Sequence, residues 1–316
     1  MNHRREIAPE AATTLDNVAI PATPAAEPDP SALAAGLPAA FWLGGGCGSG
    51  KTTAARSAAL RLDLRFYPLD GHNYVHARRA ASGGYPLTAA VSRQSGADMW
   101  RQDAAKLAKS FAAVSAERVQ MACADLRDLG PGPTVIVEGP QLFPSLVAPI
   151  MRSAHHGLWL LPTAELGYRR VAERGGARPE ATGQRRLERD ELLTRMHRVQ
   201  ATELGLPVLD IDGSLSLAQV VDLVADRITS MPGGITQAAD DHERQSIRRA
   251  ENGMHVEQLL GWWADMGQAR MPNPPEFPFS CECGRPGCLQ LIRLPVTEYE
   301  QRAAAGPVTG TGGAGH

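Results

Sequence analysis

The chain has 316 residues, of which 43% are hydrophobic, and its 32 lysine and arginine residues nearly balance 34 aspartate and glutamate residues. This length and apolar content can bury a sizeable core, so the chain as a whole is not intrinsically disordered. The formal net charge of −2 argues against a general nucleic-acid or anionic-membrane binder, because such proteins carry a basic excess.

Two features indicate the cellular compartment. The five cysteines are too few and too unevenly spaced for the disulfide framework of a small secreted protein. The first residues lack the apolar core of a signal peptide, and the longest apolar stretch, 33–43, is interrupted by glycine and proline. We therefore expect a cytoplasmic protein without a membrane span.

The chain begins with an Ala- and Pro-rich segment, 1–36, for which we predict a disordered tail. Apolar runs that predict five strands follow at 39–43, 64–70, 134–138, 157–161 and 207–211. Helical patterns fill the intervals, including 97–129 and 218–228. Continuous apolar strands that alternate with helices predict a five-stranded parallel sheet in a three-layer α/β/α sandwich, which we place at 37–230.

The rest of the chain predicts a separate, smaller unit. Residues 231–240 contain a Met-Pro-Gly-Gly break and are predicted to form a linker. A small α+β module with clustered cysteines is expected at 241–305, followed by a flexible tail at 306–316.

The strongest chemical signal is a P-loop directly after the first predicted strand. It comprises Gly45, Gly46, Cys47, Gly48, Ser49, Gly50, Lys51 and Thr52, followed by Thr53 at the start of a helical segment. Glycines allow several N–H groups to point at phosphate oxygens, and the helix N-terminus adds partial positive charge there. We assign these nine residues to ATP binding, with Lys51 on the β- and γ-phosphates and Thr52 on Mg²⁺. The alternative is a glycine-rich turn in which Lys-Thr is coincidental, but the chain contains only three lysines.

Cys47 occupies a variable position of this loop. A helix N-terminus can lower the pKa of a thiol and make it oxidisable. The alternative is a small side chain that fills space and has no redox role.

Beyond the loop, three stretches carry a resemblance to a known family: 67–74, which contains Asp70, 135–140, which contains Glu138, and the arginine-rich 185–190. Together with 45–52 and 209–214, they resemble the small-molecule and nucleotide kinases among P-loop proteins. That group includes nucleoside monophosphate kinases, uridine kinase, shikimate kinase and chloramphenicol phosphotransferase. The resemblance implies an ATP- and Mg²⁺-dependent phosphotransferase that acts on a hydroxyl or phosphate group of a small molecule.

The resemblance also implies roles for two carboxylates. Asp70 would face the acceptor hydroxyl, and Glu138 would lie beside the magnesium ion and bind it through water. A usual Walker B motif has Asp where this chain has Glu138, so the catalytic base remains open between Asp70 and Glu138. As structural alternatives, Asp70 would only form a turn or cap a helix, and Glu138 would only be a charge at a strand end.

Residues 169–198 contain nine arginines and no lysine. The resemblance to the lid of these kinases singles out Arg186 and Arg189 as catalytic residues and Arg174 as a nucleotide-binding residue. Guanidinium groups suit the bidentate binding of phosphate. The alternative is a solvated helix with interspersed ion pairs. Candidates for the acceptor pocket lie between Asp70 and Glu138, at Tyr74, Arg78, Arg79, Tyr85 and Trp100.

The C-terminal module contains Cys281, Cys283 and Cys288 within eight residues. A closed structural zinc site needs four ligands, and His242 and His255 are candidates for the fourth. A cluster of reduced thiols without metal is the alternative. The module resembles a short cysteine-containing unit of bacterial proteins of unassigned function. An alternative function for the whole chain is therefore an ATP-binding regulator whose nucleotide state controls a protein partner at this module.

Overall fold

The computed structural model describes residues 29–94, 96–174, 180–265 and 275–310. The predictions for 1–28 and 311–316 lie outside these residues. Within the span predicted as an N-terminal tail, α1 (Pro30–Ala34) forms a short helix. The Arg127 guanidinium anchors this helix through hydrogen bonds to the carbonyls of Ala32, Leu33 and Ala35. None of the described helices combines the length and the apolar composition that a membrane span requires.

The core of the molecule is a parallel sheet. Its five strands are β1 (Ala40–Gly45), β2 (Arg65–Pro68), β3 (Val135–Glu138), β4 (Gly157–Pro162) and β5 (Val208–Ile211). They lie in the order β2-β3-β1-β4-β5, and every neighbouring pair is parallel. The five-stranded parallel sheet is thus confirmed, with β1 at its centre and β2 at one edge.

Helices cover both faces of the sheet. They are α2 (Lys51–Arg61), α3 (Asn73–Ala81), α4 (Pro86–Ser92), α5 (Gly96–Met99), α6 (Ala104–Asp128), α7 (Pro144–Val147), α8 (Ala164–Arg174), α9 (Glu180–Glu203) and α10 (Leu217–Thr229). On one face, Phe41 and Leu43 of β1 pack with α2 and α10. On the other face, Trp42 of β1 and Trp159 of β4 pack with α6. Successive residues of β1 therefore alternate between two buried layers, which confirms the α/β/α sandwich.

The helix predicted over 97–129 is interrupted. The structure has α5 and α6 instead, separated by residues 100–103. The Asp103 carboxylate accepts a hydrogen bond from the Lys106 N–H and so caps the start of α6. Trp100 therefore lies in the connection before α6 and not on its apolar face.

The C-terminal module contains α11 (Asp241–Asp265), an antiparallel pair of β6 (Phe277–Ser280) with β7 (Leu291–Leu294), and α12 (Val296–Ala305). Its small core includes Phe279 stacked on Tyr299, with 4.2 Å between the ring centroids. The predicted α+β module is therefore confirmed.

This module packs on the edge strand of the large sheet. The Glu251 carboxylate on α11 accepts a hydrogen bond of 2.7 Å from the N–H of Phe66 in β2. Beside it, the Arg248 guanidinium donates to the carbonyl of Leu64 at 2.6 Å. The outer N–H and C=O groups of an edge strand have no hydrogen-bond partner in a neighbouring strand. Side chains of α11 supply such partners here, and α11 thus partly covers the edge of the sheet.

Candidate functional site

The P-loop connects β1 to α2 and turns tightly at two glycines. Gly48 and Gly50 have φ angles of 80° and 85°, a left-handed conformation that favours glycine. The loop is also closely packed: a Cβ atom at Gly45 would lie 2.1 Å from the Leu160 carbonyl oxygen, and one at Gly46 would lie 2.3 Å from Thr194 Oγ1. The loop is thus held between β4 and α9.

Two P-loop side chains converge on the end of β3. Lys51 Nζ donates to the Gly46 carbonyl at 3.3 Å and lies 3.9 Å from Glu138 Oε1. Thr52 donates from Oγ1 to the same carboxylate oxygen at 3.1 Å. Thr52 and Thr53 are exposed in the first turn of α2. The buried Ser49 hydroxyl has no hydrogen-bond partner among the described residues.

Glu138 is 1% exposed, and its surroundings act on the ionised form in opposite directions. Burial raises the pKa of Glu138 to about 7, with a further increase from Asp70, while Lys51 and the Thr52 hydroxyl oppose this effect. A cation beside this carboxylate would favour its ionised form.

Asp70 follows β2 in a 3₁₀ helix, Leu69–His72. Its side chain is exposed, and Oδ1 accepts a hydrogen bond of 2.6 Å from Gln141 Nε2. The structure places Asp70, Thr52 and Glu138 around one cavity of about 880 Å³. Among the candidates for the acceptor pocket, Arg79 lines this cavity.

The turn that contains Asp70 rests on a buried arginine that the sequence analysis did not single out. Arg118 on α6 is 3% exposed. It donates from Nη2 to the Leu69 carbonyl at 2.7 Å and from Nε to His76 Nδ1 at 2.9 Å. The sequence feature that could have identified Arg118 is a charged residue within the apolar pattern of a predicted helix. Gln141 was also missed, although it follows β3 closely in sequence.

The two predicted lid arginines are held on α9 by a neighbouring acid. Arg189 Nε donates to Asp190 Oδ1 at 2.9 Å, and its guanidinium carbon lies 5.1 Å from the centroid of the Trp100 ring. Arg186 Nε lies 3.9 Å from Asp190 Oδ2. The side chain of Arg174, the third candidate, lies outside the described part of the chain.

Another arginine contacts the P-loop directly. Arg170 on α8 donates from Nη1 to the Gly48 carbonyl at 3.1 Å. Arg170 lies in the arginine-rich segment, but it is one helix before the predicted lid residues. Its contact with the P-loop was therefore not predicted from the sequence. A second cavity, of about 310 Å³, opens beside the loop and is lined in part by Cys47, Gly167, Asp190 and Thr194.

Cys47 does not have the environment of an activated thiol. Burial raises its pKa, and the Asp190 carboxylate raises it further, while Lys51 and Arg189 have the opposite effect. The raised pKa speaks against an oxidisable thiol and favours the alternative of a small side chain that fills space, because desolvation outweighs the nearby positive charge.

The three C-terminal cysteines form a compact group. The Sγ atoms of Cys281, Cys283 and Cys288 all lie within 4.8 Å of one another. Burial alone would raise the pKa of Cys283, but hydrogen bonds from Arg285 and from the other two thiols outweigh it and bring the pKa to about 7. Neither His242 nor His255 belongs to this group of potential ligands. His255 instead packs against Phe279, with 5.5 Å between the ring centroids.

Comparisons with known proteins give only distant likenesses. No family model matches the chain, and no curated protein matches its sequence. Among solved structures, TT1252 from Thermus thermophilus has 20% sequence identity and a TM-score of 0.40; the match covers 61% of this chain and 100% of that one. Shikimate kinase from Acinetobacter baumannii, in complex with shikimate, has 15% identity and a TM-score of 0.36; the match covers 64% of this chain and 98% of that one. The fold itself is clear from the strand order and the phosphate loop: the chain has a P-loop α/β fold.

Proposed function

We propose that the protein is an ATP-dependent phosphotransferase for a small molecule. One observation carries the proposal: Lys51 and Thr52 converge on Glu138, and Asp70 lines the same cavity as Thr52 and Glu138. In open parallel sheets, ligands bind at the carboxyl ends of the strands, and this group lies where β1, β2 and β3 end.

The P-loop residues and Glu138 suit the binding of a nucleoside triphosphate with Mg²⁺. The Ser49 hydroxyl is buried and unpartnered among the described residues, and the left-handed glycines allow the loop backbone to curve around an anion. Thr52 and Glu138, the latter through water, would hold Mg²⁺, which would neutralise developing negative charge on the phosphates. Lys51 would turn from the Gly46 carbonyl to the β- and γ-phosphates.

The reaction requires an acceptor oxygen, a leaving ADP and a site for one proton. The acceptor oxygen forms a bond to the γ-phosphorus while the bond from that phosphorus to the bridging oxygen breaks, and ADP leaves with the bonding electrons. We assign the proton to Asp70, because its carboxylate is exposed to the cavity, whereas Glu138 is engaged by Lys51 and Thr52. Arg186 and Arg189, with Arg174 and Arg170, would stabilise the phosphoryl charge.

The test is phosphoryl transfer from [γ-³²P]ATP to a small-molecule extract. We expect acceptor-dependent labelling by the wild-type protein and none by Lys51→Ala. The matched control is Lys109→Ala, which removes one of the chain's other two lysines and should leave labelling unchanged. ATP binding without acceptor-dependent labelling across broad extracts would overturn the proposal.

For the C-terminal module, we propose that Cys281, Cys283 and Cys288 hold a zinc ion. Thiolates are preferred zinc ligands, and the three sulfur atoms are close enough to bind one ion together. Since the described histidines are not part of the group, the fourth ligand of a closed structural site would come from outside the described residues.

A further inference from the structure

The cavity that Asp70 lines is not formed by the α/β/α sandwich alone. It extends from Thr52 and Glu138 along the edge strand β2, and its opposite wall belongs to α11 of the C-terminal module. Ile247, Ala250 and Met254 line it from this helix. These residues are three or four positions apart, so they lie on one face of α11. At about 880 Å³, the cavity has the size of a small-molecule site.

The charges around this cavity favour some acceptors over others. Its lining contains the carboxylates of Asp70, Asp125, Asp128, Glu138, Glu243 and Glu251. Against these six stand three guanidinium groups, those of Arg56, Arg65 and Arg79. Lys51 and Arg248, which do not line the cavity, pair with Glu138 and Glu251. The four other carboxylates still outnumber the three guanidinium groups, and such an excess disfavours a ligand that carries a phosphate or carboxylate group of its own.

The three arginines are also already engaged by protein groups. Arg56 Nη2 donates to the Pro278 carbonyl at 2.9 Å and to Ser280 Oγ at 3.1 Å. Arg65 donates to the Gly130 carbonyl at 3.1 Å. Arg79 forms an ion pair with Asp125. An anionic acceptor would have to compete with these bonds for the guanidinium groups.

The histidines in the lining add no positive charge near neutral pH. Burial lowers the pKa of His72 to about 4, despite a hydrogen bond to the Pro68 carbonyl. Burial and the nearby Arg56 lower the pKa of His255 to about 4. Much of the remaining surface is apolar and includes Phe66 and Val75.

We propose that this composite cavity is the acceptor site, that α11 forms its outer wall, and that the acceptor is an alcohol with an apolar body and no anionic group. The inference rests on the proposed phosphotransferase function. It assigns the C-terminal module a role in recognising the acceptor, and it selects a hydroxyl group over a phosphate as the group that is phosphorylated.

The experiment separates a small-molecule extract into an anionic fraction, retained by anion exchange, and a non-anionic flow-through. Each fraction is incubated with [γ-³²P]ATP and the full-length protein. The variant Ala250→Trp places a bulky side chain in the cavity at an exposed position of α11. Leu260→Trp is the matched control, because Leu260 is exposed on the same helix and is absent from the cavity lining.

We expect labelled product from the flow-through, an increase in the KM of the flow-through acceptor of about tenfold or more for Ala250→Trp, and no change for Leu260→Trp. Labelling from the anionic fraction alone would overturn the inference and leave the proposed function intact. Equal labelling by both variants would show that α11 is not a wall of the site. If neither fraction is labelled although the protein binds ATP, the proposed function is wrong and the inference falls with it.

Discussion

Lys51 Nζ lies 3.9 Å from Glu138 Oε1, and both side chains are nearly excluded from solvent. The ammonium group offsets part of the cost of burying the carboxylate, but the pKa of Glu138 still rises from 4.5 to about 7. Between these two pH values, the folded protein binds a proton that the unfolded chain has lost. The Glu138 contribution to the free energy of unfolding is therefore fully present below about pH 4.5 and is lost as the pH rises through about 7.

The variant Glu138→Gln should remove this pH dependence. Without nucleotide and magnesium, we expect the variant to exceed the wild type in stability at pH 8 by on the order of 3 kcal/mol, and to lack its decline between about pH 4.5 and 7. Urea unfolding at a series of pH values measures both effects. Glu203→Gln, at an exposed position, should behave as the wild type. If stability depends on pH equally in Glu138→Gln and the wild type, the pH dependence does not come from Glu138.

Asp70→Asn tests the assignment of the proton acceptor. The amide preserves size but cannot accept the proton at neutral pH, so we expect kcat to fall between about 100- and 10,000-fold. The Kd for ATP should stay within about threefold of the wild-type value, because no described contact links Asp70 to the P-loop backbone.

Gln141→Ala supplies a second measurement. It removes the 2.6 Å hydrogen bond to Asp70 Oδ1 but leaves the carboxylate, so we expect a smaller loss of kcat than for Asp70→Asn. Wild-type kcat in Asp70→Asn would exclude Asp70 as the base and return the role to Glu138.

Arg170→Ala should weaken nucleotide binding. The substitution removes the hydrogen bond to the Gly48 carbonyl and a guanidinium group beside the phosphate loop, so we expect the Kd for ATP to rise about tenfold. Arg169→Ala is the control, since Arg169 is the preceding residue on α8 and is exposed. Isothermal titration with ATP and Mg²⁺ distinguishes the two variants. If Arg170→Ala and Arg169→Ala bind ATP with equal affinity, Arg170 stabilises the conformation of the loop but does not contribute to nucleotide binding.

The features that the sequence predicted are those encoded over short stretches. The P-loop and the apolar strand before it lie within 14 residues (39–52), and local glycine spacing specifies their geometry. The continuous apolar runs likewise specified buried parallel strands. The carboxylates at Asp70 and Glu138 could be placed because each follows such a run.

The features that the sequence did not predict depend on distant contacts. Glu251 accepts a hydrogen bond from Phe66, which lies 185 positions away in the sequence. No local sequence pattern at either residue predicts this contact. The same holds for Arg118, whose hydrogen bond to the Leu69 carbonyl spans 49 positions. The wall that α11 adds to the acceptor cavity follows from such contacts and could not be found without the structure.

Glu251 also allows a test of how the module is attached. Its carboxylate accepts hydrogen bonds from the Phe66 N–H and from Arg248 Nη1, each at 2.7 Å. In Glu251→Ala, both donors lose a partly buried, charged partner, and we expect a loss of about 2–3 kcal/mol in the free energy of unfolding. Glu251→Gln retains an acceptor and should lose less.

The control for this variant is Glu257→Ala on the same helix. Glu257 forms an ion pair with Arg78, and both side chains are largely exposed, so the expected loss is below about 1 kcal/mol. Chemical denaturation of the full chain measures all three variants. If Glu251→Ala costs no more than Glu257→Ala, the contact with β2 does not stabilise the protein.

The cysteine group predicts a measurable metal content. We expect the purified protein, in chelator-free buffer, to contain about one equivalent of zinc, and Cys283→Ser to contain less than about 0.2 equivalents. Cys123→Ala is the matched control, because Cys123 is buried in the core of the large sheet and should not alter zinc content. The segment between Cys283 and Cys288 contacts the connection between α2 and β2 through a hydrogen bond of 2.9 Å from the Gly287 N–H to the Asp63 carboxylate. Removal of zinc should therefore increase hydrogen exchange at Gly287 as well, and a wild-type protein with less than about 0.2 equivalents would exclude the structural zinc site.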